Sequence, residues 1–435
     1  SQGECFCVKM GVLILKYPCS AKEFALRLAY NCSPYFCRTP PNNQTMKKSN
    51  LSDILTHLGE ERERYFNAVA PPVIQTSNFM FDNIADFRNK LADELGHHIY
   101  TRGNNPTVQI LRRKIAALES AEDALVVGSG AAAVAMAVIG NVQAGDHVVC
   151  VQAPYSWTHA LLTKFLARFG VTHTFVDAKR TKEIAAAIQP NTRIMYLESP
   201  NSKTFELQDL AACAALARQH GLVSIIDNSH CSPIFQRPIE HGIDIVVHSA
   251  TKYLNGHSDV VAGVICSTQE MIEKLFASEL MTLGGTISPH DAALVIRGLR
   301  TLPLRIQRSH DSAVELVRRL EKHPKVAEVY FPFSPNFPQY ELAQKQMSGV
   351  GGLFSIRLKT SNMEQVEKFC DNLQCFLMAV SWGGYESLAL PMCGLYNIEG
   401  RENPHLPWDF IRFYVGLEDV EWLWADIERG LEGLE

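Results

Sequence analysis

Between residues 108 and 249 the spacing of apolar residues switches repeatedly between a period of 3.6 and a period of two. Helical "VQILRRKIAALES" is followed by strand-like "ALVVGS", helical "GAAAVAMAVIGNV", strand-like "HVVCVQ", helical "WTHALLTKFLARFG" and strand-like "THTFVD". The alternation runs on through "KEIAAAIQP", "TRIMYLES", "DLAACAALARQHG", "LVSIID" and "IDIVVHS". This βα alternation predicts an α/β fold with helices covering both faces of a large, mostly parallel sheet. In such sheets ligands bind beyond the carboxyl ends of the strands. Ser129, Tyr155, Glu198, Asp227 and Ser249 all fall at such ends.

Three further segments flank this alternation. After about residue 290 a long helical pattern, "AALVIRGLRTLPLRIQRSHDSAVELVRRLEKHP", leads into strand-like "KVAEVYFP", "GLFSIRL" and "DFIRFYVG", so residues 291–435 read as a smaller C-terminal α+β domain. Residues 51–105 read as an N-terminal arm in which Pro71 and Pro72 prevent a continuous helix. The α/β domain then occupies residues 106–290, and residues 1–50 are a leader of unknown role.

With 46% hydrophobic and 20% charged residues, the chain can bury a sizeable core as a soluble globular protein. A net charge of -5, with no basic run among aromatics, argues against a nucleic-acid partner. The longest apolar stretch, "ALVVGSGAAAVAMAVIG", is rich in Gly and Ala and falls short of the about 20 residues a membrane span needs. Five of the twelve cysteines lie in the first 45 residues and the other seven are scattered without a repeated CxxC pair. That pattern supports no metal site and predicts reduced thiols in a cytoplasmic protein.

Three motifs in the α/β segment bear on chemistry. "VVGSGAAAVAMA" is a strand, a small-residue turn and a helix start, so the Gly130 and Ala131 amides point where a helix dipole favours an anion. It lacks both the Walker and the full dinucleotide patterns, and a tight packing turn is the competing reading. Asp227 ends the apolar strand "SIID", where a carboxylate needs either a cationic partner or a role as helix N-cap. Lys252, in "HSATKYLNGHSD", follows another apolar strand; desolvation there would lower its pKa and make it a nucleophile, against the plain reading of a solvated lysine. Together, in chain order, an anion turn, an aromatic Tyr155, an acid and an amine are what pyridoxal phosphate requires.

The stretch "DNSHCSPIFQRPIEHGIDIVVHSATKYLNGHSDVVAGVI" resembles the signature of the cystathionine lyase and synthase family, the fold type I pyridoxal-phosphate enzymes of cysteine and methionine metabolism. "YTRGNNPT", "ESPNSKTFELQDL", "IRGLRTLPLR" and "SWGGYESL" extend the resemblance from about Pro71 to the C-terminus. It implies that Lys252 bonds the aldehyde of pyridoxal 5'-phosphate, Asp227 pairs with the ring nitrogen and Tyr155 stacks on the ring. Ser249, Thr251 and the Gly130 and Ala131 amides would hold the phosphate, with Tyr100 and Arg102 reaching it from a neighbouring subunit. The resemblance therefore implies a homodimer that completes the site, and a homotetramer beyond it. Arg412 matches the residue that grips the substrate α-carboxylate.

Within the family, "MAVSWGGYESL" is similar to the cystathionine β-lyase branch, with Ser381 and Trp382 as substrate-side residues and Val380 where γ-enzymes carry glutamate. Ser202 stands where the γ-enzymes place an asparagine, and Trp157 where methionine γ-lyases place a reactive cysteine. "YTRGNNPT", by contrast, follows the general family form. The expected activity is a carbon–sulfur β-lyase cleaving cystathionine, with cysteine desulfhydration as a side activity. A γ-lyase or γ-synthase of the same family, and a non-catalytic relative that binds a partner, are the alternatives.

Overall fold

The computed structural model describes residues 50–400 and 402–434, so the expected leader lies outside the described residues except for Asn50. Asn105 opens the first long helix, accepting a hydrogen bond from the Thr107 amide at 2.9 Å, and Pro106 sits in the first turn, where its missing N–H costs nothing. This helix, α1 (Pro106–Glu119), buries Leu111, Ile115 and Leu118 and is followed by β1 (Asp123–Val127). Then come α2 (Gly130–Ile139), β2 (His147–Val151), β3 (Thr172–Val176), β4 (Thr192–Glu198), α3 (Leu210–His220), β5 (Val223–Asp227), β6 (Ile245–Ser249) and β7 (Gly263–Ser267).

These seven strands form one sheet in the order β1-β7-β6-β5-β4-β2-β3. All neighbours are parallel except the two pairings of β7, which runs antiparallel to β1 and to β6. Sequence reading expects the other strands but not β7, whose "GVICS" reads only as an apolar setting for Cys266. The reason lies in the connection: residues 250–262 contain no helix, and without a crossover helix the next strand returns antiparallel. Every residue of β2 and β7 is buried, as expected of strands covered on both faces.

The long C-terminal helical pattern is two helices, α4 (Pro289–Leu299) and α5 (Leu302–Leu320). They part at Arg300 and Thr301 because Pro303, in the first turn of α5, can neither donate to the preceding turn nor let the chain continue helically before it. A second sheet follows: β8 (Val326–Tyr330), β9 (Leu353–Leu358), β10 (Leu377–Met378), β11 (Leu388–Pro391) and β12 (Phe410–Tyr414), in the order β10-β11-β12-β9-β8. Its core face holds Phe354 stacked on Phe413 at 5.3 Å, with Phe376 edge-on at 5.0 Å, and α6 (Val420–Glu432) closes the chain.

The arm is irregular after Pro71 and Pro72, as expected, with short helices at Leu51–Thr56 and Ile84–Leu91. It is pinned by a fully buried Lys114 on α1, whose ammonium donates to the Ile54 carbonyl at 2.9 Å and pairs with buried Glu60 at 3.2 Å. Glu60 also takes Arg62 and Arg300, so the buried charges satisfy one another. Among the described residues no helix is long and apolar enough to cross a membrane, and the seven cysteines there are free.

Candidate active site

Lys252 lies in the turn after β6, close enough to the second sheet's loop for its Nζ to donate to Ser381 Oγ. The same nitrogen is 5.4 Å from the ring centroid of Trp382, which is buried. Gly383 explains how the loop comes so near: a Cβ there would lie 2.8 Å from the Tyr253 amide nitrogen and 2.9 Å from Lys252 Cα, and its φ is +91°. Ser381 itself has φ +78°, outside the ordinary range for a residue with a side chain. Burial drives the Lys252 pKa down to about 8, with the Arg412 charge adding to the fall and Asp227 opposing it.

Arg412 projects from β12 and is buried. It donates to the carbonyls of Ser202 at 3.2 Å and Ser381 at 3.0 Å. Burial lowers its pKa to about 10. Two neutral carbonyls leave the other guanidinium donors for an incoming anion.

Asp227 and Glu198 are the last residues of β5 and β4 and are direct register partners, so the parallel ladder sets two carboxyls side by side. Asp227 accepts from the Ser229 amide at 2.9 Å and the Ser229 hydroxyl at 2.5 Å. Ser229 Oγ in turn accepts from the Ser249 amide at 2.7 Å, which couples the acid to the end of β6. Buried Glu198 accepts from the amides of Tyr155 at 2.7 Å and Ser202 at 2.9 Å. Desolvation raises both carboxyl pKa values, and the Asp227 charge raises Glu198 further.

Ser129 caps α2, accepting from the Ala132 amide at 3.0 Å, and leaves the Gly130 and Ala131 amides without intrahelical partners. Gly130 sits against β6: a Cβ on it would be 2.7 Å from Ser249 Cβ. Ala131 and Tyr155 line one apolar cleft of about 460 Å³ together with Trp157 and Phe165. Burial, then Asp227 and Glu198, raise the Tyr155 pKa and hold its phenol protonated.

Lys252, Asp227, Ser249, Gly130, Ala131, Tyr155, Ser381, Trp382 and Arg412 are thus linked through shared contacts. Thr251 is turned to the loop, its hydroxyl accepting from the Ala262 amide at 3.0 Å. Tyr100 and Arg102 lie on the arm, the guanidinium over the exposed Tyr100 ring at 5.2 Å. In the sequence Glu198 reads only as a strand-end residue, and Ser229 carries no role of its own. The available signal was that adjacent parallel strands ending level place their final residues side by side.

The chain matches the family described as Cys/Met metabolism PLP-dependent enzyme over residues 52–432. It is 39% identical to an L-methionine gamma-lyase of Pseudomonas deceptionensis over 398 residues, covering 90% of this chain and 100% of the relative. It is 37% identical to a cystathionine gamma-lyase of Bacillus subtilis, covering 89% and 100%. Identity to a putative cystathionine beta-lyase of Rhizobium johnstonii is 35%, covering 88% and 96%. The crystal structure of MetB from Corynebacterium glutamicum superposes with a TM-score of 0.82 at 33% identity, covering 91% of this chain and all of that one. The fold is that of the type I pyridoxal-phosphate enzymes, and the chain belongs to the Cys/Met metabolism PLP-dependent enzyme family, lyases whose cofactor is pyridoxal 5'-phosphate.

Proposed function

We propose that the chain is a carbon–sulfur β-lyase that cleaves cystathionine to homocysteine, pyruvate and ammonia, with cysteine desulfhydration as a side activity. The residues fit the cofactor. Asp227 and Glu198 form a desolvated acid pair with no ion-pair contact among the described residues, a contact that a protonated ring nitrogen would supply. Gly130 and Ala131 offer free amides beside Ser249, and Lys252 is a depressed-pKa amine at the same strand edge. In this reading Lys252 would bond the aldehyde, Asp227 would hold the ring nitrogen, Tyr155 would cover the ring and Ser249 would join the amides at the phosphate, with Thr251, already engaged with Ala262, a lesser contributor. Tyr100 and Arg102 would serve the site of a partner subunit, in a homodimer or a tetramer built from it; the exposure of the Tyr100 ring on the arm supports this.

Bound pyridoxal phosphate withdraws electrons from the substrate Cα and so acidifies its proton. Arg412 orients the substrate through the α-carboxylate, and Ser381 and Trp382 close the opposite side and exclude water. Lys252 would be the base for the α-proton, since a pKa near 8 leaves a useful neutral fraction at working pH. Tyr155, kept protonated by its surroundings, is the acid that protonates the departing sulfur.

The observation that carries the β-assignment is the loop facing Lys252. Val380, Ser381 and Trp382 put a hydroxyl and an indole there, with no carboxylate to assist the second deprotonation, at Cβ, that γ-elimination requires. A γ-lyase acting on methionine or cystathionine is the second reading, favoured by the 39% identity to an L-methionine gamma-lyase. Product analysis on purified holoenzyme separates them. Homocysteine and pyruvate from cystathionine support β-elimination; cysteine and 2-oxobutyrate, or 2-oxobutyrate and methanethiol from methionine, overturn it.

A further inference from the structure

His230 follows Asp227 by three residues, in the turn beyond β5, and is 97% shielded from solvent, with a relative exposure of 3%. The turn's other polar side chains are fully engaged. Asn228 donates to Glu119 Oε1 and to the Gln236 carbonyl, both at 2.9 Å, and Ser229 serves Asp227. His230 differs: neither ring nitrogen has a hydrogen-bond partner, and it is the one residue among those described with two orphaned buried side-chain atoms. Buried polar groups are normally satisfied, so an imidazole left with both nitrogens unpaired asks for a ligand atom.

The surroundings say which kind. The ring lies edge-on to Phe205 at 5.2 Å and tilted against Trp382 at 6.0 Å. The same indole has Lys252 Nζ 5.4 Å from its centroid, so His230 packs on a residue of the site's wall. Burial, and after it the Arg412 charge, drives the imidazole pKa down to about 3. His230 is therefore neutral at any working pH: one nitrogen carries a proton to donate, and the ring adds no charge repelling Arg412.

We infer that His230 is a substrate-positioning residue, donating a hydrogen bond to the α-carboxylate of the amino acid held by Arg412. The inference rests on the reading of Arg412 as the carboxylate grip. A neutral donor beside a guanidinium that already spends bonds on Ser202 and Ser381 would fix the rotation of the carboxylate, which one cation alone leaves free.

Spectral titration of the holoenzyme with L-alanine, which has no leaving group, and with ethylamine, which lacks the carboxylate, tests this. His230→Phe keeps the ring size and removes both nitrogens. It should weaken alanine binding about tenfold while ethylamine binding stays as in the parent protein, and His230→Asn, which keeps an N–H donor, should recover part of the loss. Should His230→Phe fail to retain the cofactor band, His230→Met, apolar and adaptable, carries the same comparison. Arg412→Lys is the control for the underlying reading. If Arg412→Lys weakens alanine and the apolar His230 variants do not, the inference about His230 alone is overturned. If Arg412→Lys leaves alanine binding intact, the carboxylate lies elsewhere and the reading of Arg412 falls with it. Equal losses for alanine and ethylamine in the apolar His230 variants would mean a packing role, and would also overturn the inference.

Discussion

The two walls around Lys252 are built in different ways. One consists of strand ends: Glu198 and Asp227 are level because β4 and β5 are in register, and Ser249 meets Gly130 because β6 ends where α2 begins. The other is a single loop, residues 381–384, shaped by positive φ angles at Ser381 and Gly383 and tied down by Arg412 through the Ser381 carbonyl. A repeating ladder fixes the groups assigned to the cofactor, whereas isolated contacts between distant residues fix those assigned to the substrate. The first wall can therefore remain constant while the second is altered.

If that division is right, substitutions on the two walls should separate in their kinetics. Lys252→Ala, which removes the amine both walls face, should lower kcat by about 10³-fold or more and abolish the visible absorbance of the bound cofactor. Asp227→Asn should cost about 10²-fold in kcat with little change in KM, because it affects the electron demand of the cofactor and not substrate binding. Arg412→Lys should show the reverse, a KM raised by about 10- to 100-fold with kcat less affected, since an ammonium cannot reproduce the planar fork. Steady-state kinetics showing the opposite split for either variant would break the comparison.

Two smaller effects sharpen it. Cofactor uptake by the apoprotein needs a neutral Lys252. The lysine is charged below its pKa of about 8, so the uptake rate should rise about tenfold between roughly pH 7 and 9 and level off above that. A stopped-flow rise of about a hundredfold over that range, continuing above pH 9 without levelling, would show that the amine is not desolvated. Thr251→Ala should change cofactor affinity only a few-fold, since its hydroxyl is already engaged with Ala262; a loss of a hundredfold would place Thr251 fully at the phosphate.

How legible the molecule was in its sequence follows the same division. The period-two and period-3.6 alternation announces β1 to β6 and their helices, and it puts Asp227 and Ser249 at strand ends before any contact is known. β7 escapes because its antiparallel direction depends on a missing crossover helix, not on its own five residues. The break between α4 and α5 was marked by Pro303 but masked by the amphipathic pattern continuing on either side. Arg412, read alone, looks like an ordinary strand charge; only the family resemblance singled it out. His230 carried no signal, because burial without a partner is a property of the assembled neighbours.

The packing around Gly130 also limits how this site can be copied or redesigned. A Cβ at Gly263, on β7, would fall 2.1 Å from the Ser129 carbonyl oxygen, just as one at Gly130 would strike Ser249. The turn at residues 128–131 is thus held between two strands: a side chain at Gly263 would need the turn to move, and one at Gly130 would need the end of β6 to move. Grafting that turn alone onto another sheet would bring its sequence but not its seat; the transferable unit is the turn, the end of β6 and the start of β7, three segments spread over more than a hundred residues of chain.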